Sequence, residues 1–263
     1  MIYPHQQRAI DYVTAKMQQD SQVEALLIYG SIMHGFNDEK SDVDICVVVS
    51  EEFYQAKRQT QALTFYEGAG EFYKGGYFDG KYITLDYLAK VAERGNEPTR
   101  FALHNALVAF DRTGQVPGLL EKIGEYDTAK VQEKAIRFLS QLEGWRWYCK
   151  EAIAKDNPYL LDVSVAKLIL FAGRLVLLDN LAFFPYHKWF MKAIKRCGNK
   201  PDGFVAAIEG LLAVKSMENV THLYEMVKNY KDWAGGEKFS WGTNFVHDVE
   251  TVWMRQEEFI ENM

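Results

Sequence analysis

The stretch Leu27-Ile28-Tyr29-Gly30-Ser31-Ile32-Met33-His34-Gly35, followed after a short loop by Ser41-Asp42-Val43-Asp44-Ile45, decides how this chain folds. Ala25 to Tyr29 is a short apolar run closed by Gly30-Ser31, and Val43 to Val49 is a second run rich in β-branched residues. Both read as buried strands. Because successive side chains on a strand face opposite ways, Asp42 and Asp44 lie side by side while Val43 and Ile45 enter the core. Two adjacent carboxylates repel unless a cation lies between them, and hard oxygen ligands at this spacing suit Mg²⁺ with substrate phosphates completing its shell. Gly30 permits a close turn, and Ser31 offers a hydroxyl and an amide to a phosphate tail. A third carboxylate would complete a two-metal site. Asp86 is the expected one, on a strand in phase with Tyr82 and Thr84 while Ile83 and Leu85 face the core. A lone Asp-x-Asp usually marks a solvated turn, and a lone Gly-Ser is weaker still. In this order, at the edge of apolar runs that do not need them, they carry more weight, since burying such groups costs stability unless function offsets it.

Working outward, 263 residues predict one or two domains. With 48% hydrophobic and 25% charged residues the composition is that of an ordinary globular protein, which excludes disorder, collagen and a coiled-coil rod. The net charge of −6 has the wrong sign for a nucleic-acid binder held by counterion release. Small or basic partners are expected instead. Cys46, Cys149 and Cys197 are widely separated and form no CxxC pair, so reduced core thiols are predicted. The start, MIYPHQQRAI, has no apolar run behind a basic segment, and Leu168 to Phe184 is interrupted by Arg174 and Asp179. A cytoplasmic location without membrane contact is the expectation.

Tyr3 to Gln18 carries Ala9, Ile10, Val13 and Met17 at helical spacing, with Pro4 suited to a first turn. Asp79-Gly80, between Tyr77-Phe78 and Lys81 to Leu85, carries a hairpin signature, and the strand after that turn is expected to run through Asp86. Beyond Ala129, Val131, Ala135, Phe138, Leu142, Trp145, Cys149 and Ala152 mark a long amphipathic helix ended by Asn157-Pro158. Further helices are predicted over 159–179, 185–197, 203–214, 216–233 and 243–261. The fold class is therefore α+β: a small mixed β-sheet with flanking helices in residues 1–120, then an all-helical bundle in 121–263. The segment Thr113 to Gly124 is the expected boundary.

The run from Gly30-Ser31 to Asp42-x-Asp44 resembles the signature of minimal nucleotidyltransferases of the DNA polymerase beta superfamily. The helical second half resembles the substrate-side bundle of antibiotic nucleotidyltransferases such as the aminoglycoside adenylyltransferases. The match covers residues 25 to 90, with Asp111 and Gly114 resembling a turn placed after the catalytic domain. Where many members have Arg before the second loop glycine, this chain has His34. The resemblance implies that Asp42, Asp44 and Asp86 hold two Mg²⁺ ions, with Asp86 also accepting the proton of the attacking hydroxyl. Gly30 and Ser31 would bind the β and γ phosphates of a nucleoside triphosphate. The implied reaction moves a nucleoside monophosphate, AMP from ATP in the leading case, onto a hydroxyl of a small molecule with release of pyrophosphate. A cationic, aminoglycoside-like acceptor leads, which would make the chain an antibiotic-resistance enzyme. An antitoxin-like transferase acting on a protein, and a nucleotide sensor without turnover, are the alternatives.

The segment Phe183-Phe184-Pro185-Tyr186-His187-Lys188-Trp189 is dense in aromatic and basic groups. Aromatic packing at a helix start is its bland explanation, and the functional one gives Lys188 or His187 to the triphosphate. Glu143, Trp145, Trp147, Tyr148 and Glu151 on the first bundle helix would suit a polycationic sugar.

Overall fold

A computed structural model describes residues 1–255 and 257–263, which divide into two compact units, Met1–Glu125 and Tyr126–Met263. The first is α+β and the second helical, as the sequence predicts. The division falls just past the expected boundary because α5 (Val116–Gly124) buries Val116, Leu120 and Ile123 in the core of the first unit.

The first unit is built on a five-stranded sheet. Its strands are β1 (Val23–Tyr29), β2 (Val43–Val49), β3 (Thr64–Gly68), β4 (Tyr77–Ile83) and β5 (Leu107–Asp111). Their order is β3-β4-β2-β1-β5, with β2 and β4 parallel and every other pair antiparallel. The parallel pair requires a crossover, which α2 (Glu51–Gln59) and β3 supply. On one face α1 (Pro4–Gln19) packs Ala9, Ile10, Val13 and Met17 against Leu26, Ile28, Val43, Ile45 and Val47. On the other, α3 (Leu85–Arg94), α4 (Glu97–Leu103) and α5 cover Ala25, Leu27, Cys46 and Val48. The central strands are thus apolar on both faces, which is why β1 and β2 read as unbroken runs.

Two expectations fail in β4. Asp79-Gly80 is not a hairpin turn: it lies inside a continuous strand, where Asp79 is opposite Asp44 and Gly80 opposite Ile45. Gly80 serves a neighbour instead, since a Cβ there would meet the Phe65 ring at 2.2 Å. The strand also stops at Ile83 and does not reach Asp86. Thr84 caps α3 by accepting the Tyr87 amide at 3.1 Å, so Asp86 falls in the first helical turn.

The second unit contains α6 (Val131–Ala154), α7 (Pro158–Asp179), α8 (Phe190–Arg196), α9 (Phe204–Ala213), α10 (Met217–Lys228) and α11 (Trp241–Phe245). The apolar faces of α6 to α10 share one core that includes Phe138, Leu142, Leu168, Phe171, Leu175 and Leu223. Arg174 is buried in it, stacked on Phe138 at 4.5 Å and Phe184 at 4.7 Å, and donates to the backbone carbonyls of Glu261 and Met263. The helix predicted over 243–261 is not continuous. After α11 the chain widens into a π-helical turn (Val246–Glu250) and then a 3-10 turn (Val252–Met254). Two anchors account for the break: Phe245 packs onto Gly144, and buried Asp248 accepts from Arg137 at 2.7 Å. No helix among the described residues is long and apolar enough to cross a membrane. All three cysteines are buried free thiols, and burial pushes Cys46 and Cys149 each up to about 12.

Candidate functional site

One rung of the sheet crosses three strands: Tyr29 on β1 is opposite Asp44 on β2, and Asp44 is opposite Asp79 on β4. Residues on a rung project to one face, so Asp44 and Asp79 stand together, with Asp42 two positions back on the same side. Carboxylate oxygens of Asp42, Asp44 and Asp79 all lie within 4.8 Å of one another. Like charges so close repel strongly in the absence of a cation. An all-oxygen donor set of this kind fits a hard divalent ion such as Mg²⁺.

Asp86 is not in this cluster. It sits on α3, exposed, with Lys90 Nζ at 2.6 Å in an (i, i+4) pair. Asp79 takes the place that Asp86 was expected to fill. The alternation of half-buried Tyr77, exposed Asp79 and half-buried Lys81 with buried Phe78 and Gly80 is the strand signal that reveals it.

Gly30 follows the rung directly, with a left-handed φ of +73°, and a Cβ there would lie 1.9 Å from Asp44 Oδ2. Only glycine brings the backbone this close to that carboxylate. From Gly30 the chain winds into a compact turn in which His34 N–H donates to Gly30 O at 3.3 Å and Phe36 N–H to Ser31 O at 2.9 Å. Among the described residues, the N–H groups of Ser31, Ile32 and Met33 donate to no protein acceptor. Successive unspent amides after a left-handed residue form an anion-binding concavity.

The loop leading to Asp42 is held from several sides. Gln6 on α1, fully buried, donates through Nε2 to Asp38 O at 2.8 Å and Ser41 O at 3.3 Å, and its Oε1 accepts from Asn37 at 2.9 Å. Tyr73 donates its hydroxyl to Ser41 O at 2.9 Å. Tyr77 donates to the Asp42 carboxylate itself, and that bond, aided by burial, holds the phenol protonated well above its usual range. Tyr29 is also held protonated, first by burial and then by Cys46, Asp44 and Asp79 nearby. Lys81, two residues beyond Asp79 on the same face, places Nζ 4.5 Å from the Tyr29 ring centroid. One ammonium therefore stands beside the acidic cluster. His34 stacks on Phe101 at 4.1 Å and lies 5.1 Å from His104, so a ring pair occupies the position where the resemblance expects arginine.

The remaining expected site residues lie in the second unit. Lys188 is in the 3-10 turn His187–Trp189, exposed, with Nζ 5.1 Å from the Trp189 ring centroid. Glu143 is not a free surface acid: it is buried and accepts from the Tyr224 hydroxyl, from Lys228 at 3.2 Å and from Arg146 at 3.3 Å. Trp145 and Tyr148 pack with Phe245, while Trp147 stays exposed.

Residues 12–72 match the family model described as Polymerase beta, Nucleotidyltransferase, a span that holds Gly30, Ser31, Asp42 and Asp44. Among solved structures, a nucleotidyltransferase-like protein from Exiguobacterium sibiricum 255-15 aligns over 95% of this chain and 80% of its own, at 11% identity and a TM-score of 0.46. No curated protein matches the sequence.

Proposed function

We propose, from the match of residues 12–72 to the Polymerase beta, Nucleotidyltransferase family model, that the chain transfers a nucleoside monophosphate, AMP from ATP in the leading case, to a hydroxyl of a small molecule and releases pyrophosphate. One observation carries this reading: the carboxylates of Asp44 on β2, Asp79 on β4 and Asp42 just before β2 converge within 4.8 Å beside a left-handed glycine and three unspent amides. Carboxylates suit a divalent cation, amides suit phosphate, and a metal nucleoside triphosphate presents both.

Asp42, Asp44 and Asp79 are the residues that would hold Mg²⁺, and Asp86 leaves that set. A cation bound there supplies charge neutralisation at the phosphorus undergoing substitution. The protein's own groups do the positioning. The amides of Ser31, Ile32 and Met33 orient the phosphate tail, Gly30 lets that tail approach Asp44, and Tyr77 fixes the rotamer of Asp42. Asp79, the most exposed of the three, would accept the proton of the attacking hydroxyl. Three buried free thiols and an acidic balance support a cytoplasmic enzyme with a cationic acceptor.

The test is pyrophosphate release and transfer of α-labelled nucleotide, with Mg²⁺, across acceptors that include aminoglycosides. Asp42→Asn and Asp44→Asn are expected to lose at least about a hundredfold in rate. Asp79→Asn should fall with them, and Asp86→Asn should stay within about twofold. Transfer that survives Asp42→Asn and Asp44→Asn would sink the mechanism. An adduct found on co-purified protein would move the acceptor to a macromolecule, and tight nucleotide binding without pyrophosphate release would leave a sensor.

A further inference from the structure

The turn after Gly30 closes on itself through three backbone hydrogen bonds, His34 N–H to Gly30 O, Gly35 N–H to Ile32 O at 3.2 Å and Phe36 N–H to Ser31 O. These bonds shape the turn without fixing it to the rest of its unit. Side chains do that. Ile32 is buried in the core that α1 covers. His34, two residues on, lays its imidazole on the Phe101 ring of α4, with centroids 4.1 Å apart and planes 18° from parallel. The buried Phe36 ring lies 6.3 Å from both.

Helix α4 is itself held in place on several sides. Asn96 caps it by accepting the Thr99 amide at 3.0 Å, and Leu103 is buried among residues of α3 and α5. Arg100, next to Phe101, donates to Ala92 O at 2.9 Å and Gly95 O at 3.0 Å at the end of α3, and to Ile123 O at 3.2 Å at the end of α5. Carbonyls at helix ends lack partners within their own helix, so one guanidinium ties α4 to both neighbours. His104 closes the ring cluster 5.1 Å from His34, with Nδ1 engaged by Phe101 O at 3.0 Å and Nε2 by Asn105 at 2.9 Å. Burial holds its pKa below the usual histidine range, so it meets His34 as a neutral ring.

We propose that Phe101 is a positioning residue for the turn: by stacking on His34 it fixes the orientation of the Ser31, Ile32 and Met33 amides, and His34 serves through its ring plane, not as a cation to the phosphate. The inference rests on the nucleotidyl-transfer reading above. Preorganisation is the physical reason. Amides that already point at an anion bind it without the entropy cost of ordering a loop, whereas a turn free to rock against the sheet meets that cost at every binding event. A ring pair suits the task, because aromatic planes prefer an offset stack and so fix an orientation as well as a distance. One face of the imidazole is taken by Phe101 and a neutral second ring stands beside it, which is the setting of a packed aromatic group.

Isothermal titration of the full chain tests this with three probes: Mg-ATP, Mg-tripolyphosphate for the phosphate tail alone, and Mn²⁺ without nucleotide for the carboxylates. Phe101→Ala and His34→Ala are expected to weaken Mg-ATP and Mg-tripolyphosphate alike, by about tenfold, and to move Mn²⁺ binding within about twofold. His34→Phe keeps the stack and cannot carry a charge, and it should bind Mg-ATP within about threefold of wild type. Four results overturn the proposal: Mg-ATP bound by Phe101→Ala as tightly as by wild type, Mn²⁺ weakened in proportion, Mg-tripolyphosphate untouched while Mg-ATP weakens, or His34→Phe behaving as His34→Ala does. Should Phe101→Ala fail to fold, the two His34 variants carry the comparison from the turn itself. Wild type that binds neither Mg-ATP nor Mg-tripolyphosphate overturns the nucleotidyl-transfer reading as well, whereas the four results above leave that reading standing.

Discussion

At Gly30 a single hydrogen is all the space beside Asp44 allows. A methyl there would overlap a carboxylate oxygen and would also have to adopt a left-handed backbone, a conformation that costs an L-residue about 1–2 kcal/mol. Gly30→Ala is therefore expected to lower stability by that amount in urea unfolding, and to abolish pyrophosphate release through the displaced carboxylate. Gly30, Ser31, Asp42 and Asp44 were legible in the sequence because they lie close together along the chain and punctuate apolar runs. Asp79 was not. Its dipeptide with Gly80 carries a strong local turn signal, and what cancels it is non-local: the Phe65 ring, packed where Gly80 has no side chain. Asp86 was misplaced for the complementary reason. Thr84 followed by Leu85, Leu88 and Val91 is a capped helical pattern, but it is short and begins where a strand could continue.

At the scale of elements, α1 does more than cover the sheet. The buried Gln6 amide holds the loop that delivers Asp42, and the carbonyls of Asp38 and Ser41 would lose that donor in Gln6→Ala. Leaving such groups without partners costs about 1–3 kcal/mol. We expect Gln6→Ala to lose stability in that range and to weaken Mn²⁺ binding, as read by titration of the full chain. Helix α1 itself was legible from its periodic apolar face, whereas its hold on the loop was not, because a glutamine on a helix is ordinarily solvated. The break after α11 has a similar origin. The sequence pattern over 243–261 is helical, and the partners that interrupt it, Arg137 and Gly144, lie on α6 far away along the chain.

For the whole molecule, the acidic balance acquires a location. Part of the net charge of −6 is concentrated in three carboxylates that the fold forces together. A ligand that binds only the folded state stabilises it by mass action, by about 2.7 kcal/mol at a concentration one hundred times its dissociation constant. Mg²⁺ with ATP is therefore expected to raise the melting temperature of the wild-type chain, and the rise should vanish in Asp44→Asn. A fold-level reading of two units, one α+β and one helical, was available from composition and periodicity alone. Each unit has a core of its own.

The parallel pairing of β2 with β4 has a consequence in time. Asp42 and Asp44 leave the ribosome well before Asp79, because a whole helix and an edge strand are made in between. Until that crossover closes, the emerging chain holds only two of its three carboxylates, and closing it costs loop entropy before any cation can repay it. Cation capture thus waits on the pairing of β4 with β2, and it reports that this crossover has closed.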